Sequence, residues 1–499
     1  MQKSHLSRYW VAAAAFFLLS ANTSVFAQSR ISSLSLNDAI NAALGRGEEI
    51  TLAEGGVHSA QGSEEVAFSG YLPQIGATVN YTRTFLSQYS GLQSLPDTGS
   101  AATLASLFKN LPFGRANAWT LGLNASENIF TGGRLTALNE AAKAREKSAD
   151  IDFTAAQAQL VLNVTQSYYD AILADTVVRI SHDALDEAEK VYQLTNQAFQ
   201  VGEKAEFDAL SAKVARDNQI PVVLQSEDNR AQAYYRLKQL LNLSLDDSLE
   251  LTTPIVDSQA RFAMMSDTTT DARSSVMQAK LNLDASNDQV KAAEAAHWPQ
   301  VSISSSYSPV AYPNNLFPNW SDWYTNWTGA INLSIPIYTG GSIEGNVNMA
   351  EGGVEQANAR LEQAREAAAM DARVSMNALH SAKANLRSTA STASEAQRAY
   401  DIATVRFQQG ISTEVELENA RIQEEQAREN WASAVRNYQV ARAKLSLLKD
   451  LPVNPAQAQV AASTAQSGIT QQQSASPNSQ TTFTTPSSGA SPSGMPSSQ

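Results

Sequence analysis

The chain has 499 residues, of which 43% are apolar and 17% are charged, and it contains no cysteine. A chain without cysteine has no disulfide scaffold, no thiolate metal site, no cysteine nucleophile and no lipidated cysteine. Its net charge of −13 argues against a nucleic-acid partner, because phosphate binding favours a basic surface. These facts leave a non-disulfide, acidic protein of low charge density.

The N-terminus is typical of a secretory signal peptide. Lys3 and Arg8 precede an apolar stretch at residues 11–19, and Val25-Phe26-Ala27 places small residues at a cleavage site. The apolar stretch is too short for a membrane-spanning helix, which needs roughly 20 residues. We therefore predict that residues 1–27 are removed on export.

A helix is predicted after the signal peptide. Ser35-Leu36-Asn37-Asp38 has the pattern of a capping box, and apolar residues then recur at helical spacing. This helix is expected to reach about Gly70, although Gly55-Gly56 should weaken it. Residues 271–297 form its counterpart later in the chain.

The chain contains an internal repeat. Three motifs recur at one common offset along the chain, and a fourth, upstream of them, recurs at a larger offset. The three are Phe130-Thr-Gly-Gly-Arg134 with Tyr338-Thr-Gly-Gly-Ser342, Phe199-Gln-Val-Gly202 with Phe407-Gln-Gln-Gly410, and Trp119-Thr120 with Trp327-Thr328; the fourth is Leu72-Pro73-Gln74 with Trp298-Pro299-Gln300. The chain is therefore two copies of one long unit, and the first copy carries an insertion between Tyr81 and Trp119.

Each unit begins with two strands. Apolar and polar residues alternate with period two over residues 71–82, 119–126, 300–308 and 327–337. The polar faces are small and uncharged, and aromatic residues cluster near the strand ends, as in the interfacial girdle of a membrane barrel. The girdle candidates are Trp119, Trp320, Trp323 and Trp327. A soluble sandwich is the alternative interpretation of the same strands.

The number of strands constrains the assembly. Four strands cannot close a barrel, and membrane barrels begin at about eight strands. An open edge in lipid leaves backbone groups unsatisfied, at a cost of several kcal/mol each. If these strands span a membrane, several chains must pool them, and a trimer would supply twelve.

Long helices follow the strands. Residues 133–199 and 341–407 contain no proline and are rich in strong helix formers, so each predicts a helix of about 100 Å. Gly202 and Gly410 should end these helices, and a second helix should run back from each. Pro221 is expected to interrupt or kink the first returning helix.

These patterns divide the chain into five parts. We predict a signal peptide, a first repeat, a connector, a second repeat and a Ser/Gln/Thr/Pro-rich tail that is disordered because it cannot bury enough apolar surface. Their bounds are 1–27, 34–243 (strand hairpin about 71–130, helical hairpin about 133–243), 244–270, 271–452 (strand hairpin about 299–338, helical hairpin about 341–451) and 453–499.

Together these motifs resemble the TolC-like outer-membrane factor family. The resemblance covers about residues 34–452 and rests on the Ser35-Leu36 opening, the Leu-Pro-Gln strand start, the aromatic-Thr-Gly-Gly hinge and the doubled Phe-x-x-Gly tip. It implies a mainly α fold with a membrane β-barrel portion. Four strands per chain would join a shared twelve-strand barrel in the outer membrane, above a periplasmic helical barrel built from two structural repeats.

The resemblance also implies a function and partners. It predicts a homotrimeric exit duct in outer-membrane lipid that serves a tripartite efflux pump or type I secretion system. A periplasmic adaptor protein would dock at the helical tips, an inner-membrane pump would load the duct, and no cofactor or nucleic acid would be needed. The adaptor-docking candidates are Val201, Gly202, Gln409 and Gly410. An ordinary helix break is the alternative interpretation of these residues.

One further site follows from the resemblance. In the family, acidic residues just after the second tip glycine ring the closed periplasmic end. The corresponding positions here are Glu416, which is acidic, and Asn419, which departs from the family's aspartate, with Glu414 and Glu418 beside them. Three symmetric copies of Glu416 would form a carboxylate ring that attracts cations. Alternatively, these acids are solvated charges favoured by a helix N-terminus.

Catalytic and metal-binding patterns are lacking in the sequence. No two of the five histidines lie three or four residues apart, and there is no nucleophile elbow, P-loop or dinucleotide fingerprint. We therefore predict neither an enzyme nor a metal protein. The alternative function is a trimeric adhesive fibre with a β-anchor and a coiled-coil stalk, although a fibre would need only one strand set and one stalk.

Overall fold

The computed structural model describes residues 33–86, 115–256, 269–313 and 315–453. The predicted signal peptide, the tail beyond residue 453, most of the insertion in the first repeat and part of the connector lie outside the described residues. The described chain is mainly helical, with one larger and one two-stranded sheet.

The first repeat is a helix, a strand hairpin and a helical hairpin. A short helix, α1, precedes it at Leu36–Arg46 and begins at the predicted capping box of Ser35 and Asp38. The repeat itself comprises α2 (Glu48–Ser69), β2 (Gln74–Arg83), β3 (Asn117–Phe130), α3 (Arg134–Gln200) and α4 (Glu206–Leu240).

The second repeat has the same elements in the same order. It comprises α5 (Ser274–Glu294), β5 (Gln300–Tyr307), β8 (Trp327–Ser334), α6 (Ser342–Gln408) and α7 (Glu414–Ser446). The starts of α2 and β2 recur in α5 and β5 at the larger sequence offset. Both bounds of α3 and the start of α4 recur in α6 and α7 at the smaller one. The two sequence offsets therefore hold for whole structural elements.

Two helix boundaries differ from the sequence expectation. The opening helix breaks at Gly47, not at Gly55-Gly56, which lie inside a continuous α2. A Cβ at Gly47 would lie 2.6 Å from the Ala43 carbonyl oxygen, so this position accepts only glycine in its present backbone path. Likewise α4 continues through Pro221 without interruption, because packing along α3 outweighs the loss of one backbone hydrogen bond.

Four long antiparallel strands form the main sheet, in the order β2-β3-β5-β8. Two short strands, β6 (Val310–Ala311) and β7 (Trp323–Tyr324), were not predicted from the sequence. β6 pairs with the first residues of β3, and β7 pairs with β6. A separate parallel pair joins β1 (Ser33–Leu34) to β4 (Glu250–Leu251). In the described chain β2 and β8 each pair on one side only, so they are the edges of the long sheet.

The helices continue the same arrangement below the sheet. Near the sheet the packing order is α2-α3-α5-α6, and toward the hairpin tips it is α4-α3-α7-α6. The long helices α3 and α6 each have 67 residues and pass through both levels. The largest core lies where α1, β1 and the ends of α4 and α7 pack on the middle of α3, around Tyr168, Tyr169 and Leu237.

No helix in the described part of the chain combines the length and hydropathy needed to cross a membrane.

Candidate functional site

The main sheet has two chemically different faces. Apart from one bulge next to Phe130, the register pairs odd-numbered residues with odd-numbered residues in each of the three long ladders. The odd-numbered face is apolar along most of its length, and several of its large side chains are exposed: Ile75, Val79, Leu123, Ile303, Ile331 and Leu333. A solvent-exposed apolar band of this kind suits contact with lipid.

The even-numbered face is polar and uncharged over the long strands. It carries threonine, serine, asparagine and glutamine side chains, with no Asp, Glu, Lys or Arg at the even positions of β2, β3, β5 and β8. Ser306 donates to Asn124 Oδ1 at 2.8 Å, and Asn332 donates to Ser304 Oγ at 3.4 Å. This face can therefore line water without selecting strongly for either sign of charge.

The four girdle tryptophans lie at the loop end of the sheet. Trp119 stacks between Tyr81 and Phe317, with ring centroids 4.9 and 5.9 Å away, and its indole donates to the Leu316 carbonyl at 2.8 Å. Trp327 donates to Ser305 Oγ at 3.0 Å. Trp320 is 97% exposed, whereas Trp323 is half-buried in β7. Indole rings with polar contacts at one end of an apolar band suit an interface, and the girdle stays a prediction.

The two hairpin tips share one backbone design. Gly202 and Gly410 adopt φ of +83° and +70°, and their N–H groups donate to the carbonyls of Phe199 and Phe407. Such left-handed turns close a helix C-terminus and favour glycine, because a Cβ is strained there. Each tip thus reverses a 67-residue helix within a short turn.

Exposed apolar side chains surround both tips. Val201 is 71% exposed, Phe207 is 72% exposed and Ile411 is 63% exposed, whereas Gln409 adds an exposed amide. Apolar groups gathered at a helix end with nothing packed on them in the described chain suit protein contact. Adaptor docking at Val201, Gly202, Gln409 and Gly410 remains a prediction.

The structure separates the four gate candidates. Glu416 and Asn419 are exposed and lie three residues apart on one face of α7. Glu414 is buried, and burial raises the pKa of its carboxyl against the opposing hydrogen bond from Ser211 of α4. Glu418 pairs with Arg421 at 2.8 Å. Glu416 and Asn419 are therefore the two exposed members of the four, and their role at a gate remains a prediction.

Sequence reasoning missed a buried charge network just beyond these residues. The Arg421 side chain is 5% exposed and donates to both carboxylate oxygens of Glu418, at 2.9 and 2.8 Å. It also donates to Glu425 at 3.0 Å, and Gln219 of α4 donates to Glu425 at 2.9 Å. The i, i+3 and i+4 spacing of these three charges was the available signal. The network fixes α7 against α4 directly behind the tip.

No cluster of His, Asp and Glu within the described ranges has the geometry of a metal site.

Comparison with known proteins identifies the family. A family model described as outer membrane efflux protein matches residues 39–243 and 266–449. The chain is 23% identical to the outer membrane protein TolC of Vibrio cholerae over 328 residues, which cover 64% of this chain and 73% of TolC. It is 24% identical to the pyoverdine export outer membrane protein OpmQ of Pseudomonas aeruginosa over 388 residues, which cover 76% and 77% of the two chains. The solved structure of the Campylobacter jejuni CmeC outer membrane channel aligns with a TM-score of 0.69 at 19% identity, covering 85% of this chain and 88% of CmeC.

The chain belongs to the outer membrane efflux protein family, because the family model matches well over half of it. The predicted TolC-like fold and the outer-membrane location are confirmed, and the protein is an outer-membrane efflux channel. Members of the family are trimeric channels that work with efflux pump systems. Its relatives are channels rather than enzymes.

Proposed function

We propose that three copies of this chain form a continuous exit duct that carries solutes from a periplasmic adaptor and an inner-membrane pump across the outer membrane. Its periplasmic end would open when adaptor and pump engage the hairpin tips. One observation carries the proposal: in the described chain the long strands and the long helices line up side by side as a wall, and its sheet has unpaired edges at β2 and β8, one apolar face and one polar face.

Closure by further copies follows from the edges. The unpaired sides of β2 and β8 in the described chain leave backbone donors and acceptors that lipid cannot satisfy. Four long strands per chain give twelve in a trimer, which is within the range of membrane barrels. Closing the sheet with the odd-numbered residues outward places isoleucine, leucine and valine against lipid and the serine-rich face around water.

The helical portion extends the duct away from the membrane. A 67-residue helix is about 100 Å long at 1.5 Å per residue. Since α3 and α6 both pass from the sheet to a hairpin tip, the wall is continuous over that length. A solute would therefore move from the tip to the outside without crossing the apolar face.

The tips are proposed as the regulated end. The exposed Glu416 carboxylates would ring the narrowest point in a trimer, and the exposed Val201 and Ile411 side chains would contact the adaptor. The buried Arg421 network holds α4 and α7 together behind the tip. The hairpins would then move as paired units, and the opening would change without unfolding either helix.

Single-channel recording tests the duct. The purified protein, added to a planar lipid bilayer, is expected to insert and conduct potassium chloride in uniform steps. Failure of correctly folded protein to conduct in any inserted event, at any voltage or pH tested, would contradict the proposal.

Photo-crosslinking in cells of the source bacterium tests the adaptor contact. A photoreactive amino acid at Val201 or Gln409 is expected to yield an adduct that mass spectrometry identifies as a periplasmic adaptor. The same probe at exposed Asp246 in the connector serves as the control. Adaptor adducts from Asp246 but from neither tip position would exclude docking at the tips.

A further inference from the structure

One close contact at the first repeat has no counterpart at the equivalent position of the second repeat in the described chain. A Cβ placed on Gly132 would lie 2.6 Å from Trp298 Cβ and 2.7 Å from the Ala295 carbonyl oxygen, so the start of the second strand hairpin presses on this glycine. The equivalent glycine, Gly340, has no such neighbour within 4 Å in the described chain. The residue equivalent to Trp298 is Leu72, which lies half-exposed at the opposite edge of the wall.

The repeat indicates what is missing at Gly340. Inside the chain the second half of repeat one packs on the first half of repeat two, through β3 with β5 and α3 with α5. The equivalent surfaces, those of β2 with α2 and of β8 with α6, lie at the two edges of the wall, where nothing in the described ranges pairs with the strands. Within the chain, β3 packs on β5 and α3 packs on α5. By the same relationship, β8 of one copy would pack on β2 of a second copy, and α6 of the first copy on α2 of the second.

The known register within the chain can be carried to this seam. Because the two repeats keep one constant offset before the insertion and another after it, each pair in the β3-β5 ladder has one equivalent at the seam. Leu123–Tyr307, Asn124–Ser306, Ala125–Ser305 and Ser126–Ser304 become Ile331–Tyr81, Asn332–Asn80, Leu333–Val79 and Ser334–Thr78. The transferred pairs keep apolar residues opposite apolar residues and polar residues opposite polar residues.

The helices give an independent indication of the same seam. In the chain Ala141 and Ala144 of α3 pack on Ala285 of α5. Their equivalents at the seam are Met349, Gly352 and Ser59. Each edge helix also carries a glycine pair in this region, at 55–56 in α2 and at 352–353 in α6. A glycine inside a helix lowers its stability relative to alanine, and these four have open space around them in the described chain. Close approach of a second helix backbone would account for their concentration on the two edge helices.

We propose that copies of this chain join through a seam with the register Ile331–Tyr81 to Ser334–Thr78 between strands, and with Gly352 of α6 against Ser59 and Gly56 of the neighbouring α2. The inference rests on the proposed trimeric duct and adds the residue-level partner surface. Asn332 and Asn80 become direct amide neighbours on the polar face of the seam.

Disulfide crosslinking tests the register, since the natural chain contains no cysteine. The double variant Val79→Cys/Leu333→Cys is expected to give covalent dimers and trimers on a denaturing non-reducing gel. The in-chain pair Ala125→Cys/Ser305→Cys, whose residues are opposite in the structure, should oxidise without forming multimers. The mismatched pair Ile75→Cys/Ile331→Cys should form no disulfide, either between copies or within one chain.

The outcomes separate the seam from the function. If the matched pair gives no multimers while the same protein is trimeric by light scattering and conducts, the register is wrong and the duct stands. Multimers from the mismatched pair and none from the matched pair would also overturn the register. A monomeric, non-conducting protein would instead reject the proposed function.

A second pair tests the helical part of the seam. Ser59→Cys/Gly352→Cys is expected to give the same ladder of multimers. Gly352→Leu should lower the temperature at which the trimer dissociates in detergent, although leucine is the better helix former. Gly45→Leu in the exposed last turns of α1 is the matched control and should leave that temperature unchanged or raised. A trimer unaffected by Gly352→Leu, with no ladder from the cysteine pair, would overturn the helical contact.

Discussion

Arg406 and Glu416 form an ion pair across the second hairpin tip, with Arg406 Nη1 3.3 Å from Glu416 Oε1. The arginine lies in the last turn of α6 and the glutamate in the first turn of α7, where Thr413 Oγ1 also accepts a hydrogen bond from the Glu416 backbone N–H. Both side chains are about half-exposed. The proposed gate carboxylate is therefore partly neutralised by its own chain.

This pair predicts opposite effects of two substitutions on ion selectivity. Glu416→Gln should lower the cation-to-anion permeability ratio, and Arg406→Gln should raise it, by roughly two- to fivefold at 0.1 M salt, where charges act over about 10 Å. Reversal potentials in a salt gradient measure the ratio. Glu362→Gln, an exposed charge-pair change far along α6 from the tip, is the control. Equal ratios in all four proteins would remove Glu416 from the gate.

Glu414 predicts a pH dependence of tip stability. Burial raises the pKa of its carboxyl above the ordinary value of 4.5, so the folded tip favours the protonated form. The stability that the protonated Glu414 contributes is complete below pH 4.5 and is lost as the pH rises through the raised pKa. Glu414→Gln should therefore increase the thermal stability of the protein at pH 7.5 and have little effect at pH 4. Glu416→Gln, at an exposed position, should alter stability by less than about 1 kcal/mol.

A buried arginine predicts the largest loss of stability. The Arg273 side chain is 1% exposed and lies 2.9 Å from Asp371, which Lys444 also contacts at 3.1 Å. Burial alone would raise the pKa of the Asp371 carboxyl, but the two cations lower it below the ordinary value of 3.8. The stability that the ionised carboxylate contributes is therefore complete above pH 3.8 and is lost as the pH falls through the lowered pKa. Asp371→Asn leaves a buried cation without its partner and should cost about 3–5 kcal/mol. Thermal unfolding measures this, with Glu362→Gln on the same helix as a near-neutral control.

The two faces of β8 predict different results for neighbouring lysines. Ile331→Lys places a charge on the apolar face and should destabilise the inserted protein by about 2–4 kcal/mol if that face contacts lipid. Thr328→Lys places it on the polar face, outside the proposed seam pairs, and should leave insertion intact while shifting selectivity toward anions. Assembly in lipid vesicles and reversal potentials measure the two effects. Destabilisation by Thr328→Lys alone would mean that the faces are assigned the wrong way round.

The sequence predicts the repeat and its strands well because both are local patterns. Alternation over a few residues defines β5 and β8, and the doubled Thr-Gly-Gly and Phe-x-x-Gly motifs locate the long helices and their tips. These signals depend on backbone conformation and period, which neighbouring residues determine.

Features that depend on packing were not predictable in this way. The opening helix ends at Gly47, where a Cβ would meet the Ala43 carbonyl oxygen, whereas Gly55-Gly56 lie in open space inside a continuous helix. Glu414 is distinguished from Glu416 only by the proximity of α4 and Ser211. The contact of Gln219 with Glu425 joins residues 206 positions apart, so no local pattern announces it.

The most direct test of the shared duct is the mass of the detergent-purified mature protein, measured by light scattering corrected for bound detergent. Three chains per particle is the predicted result, because two open sheet edges require neighbouring copies. A stable monomer that retains its sheet and helices would contradict the pooled barrel and with it the proposed path for solutes.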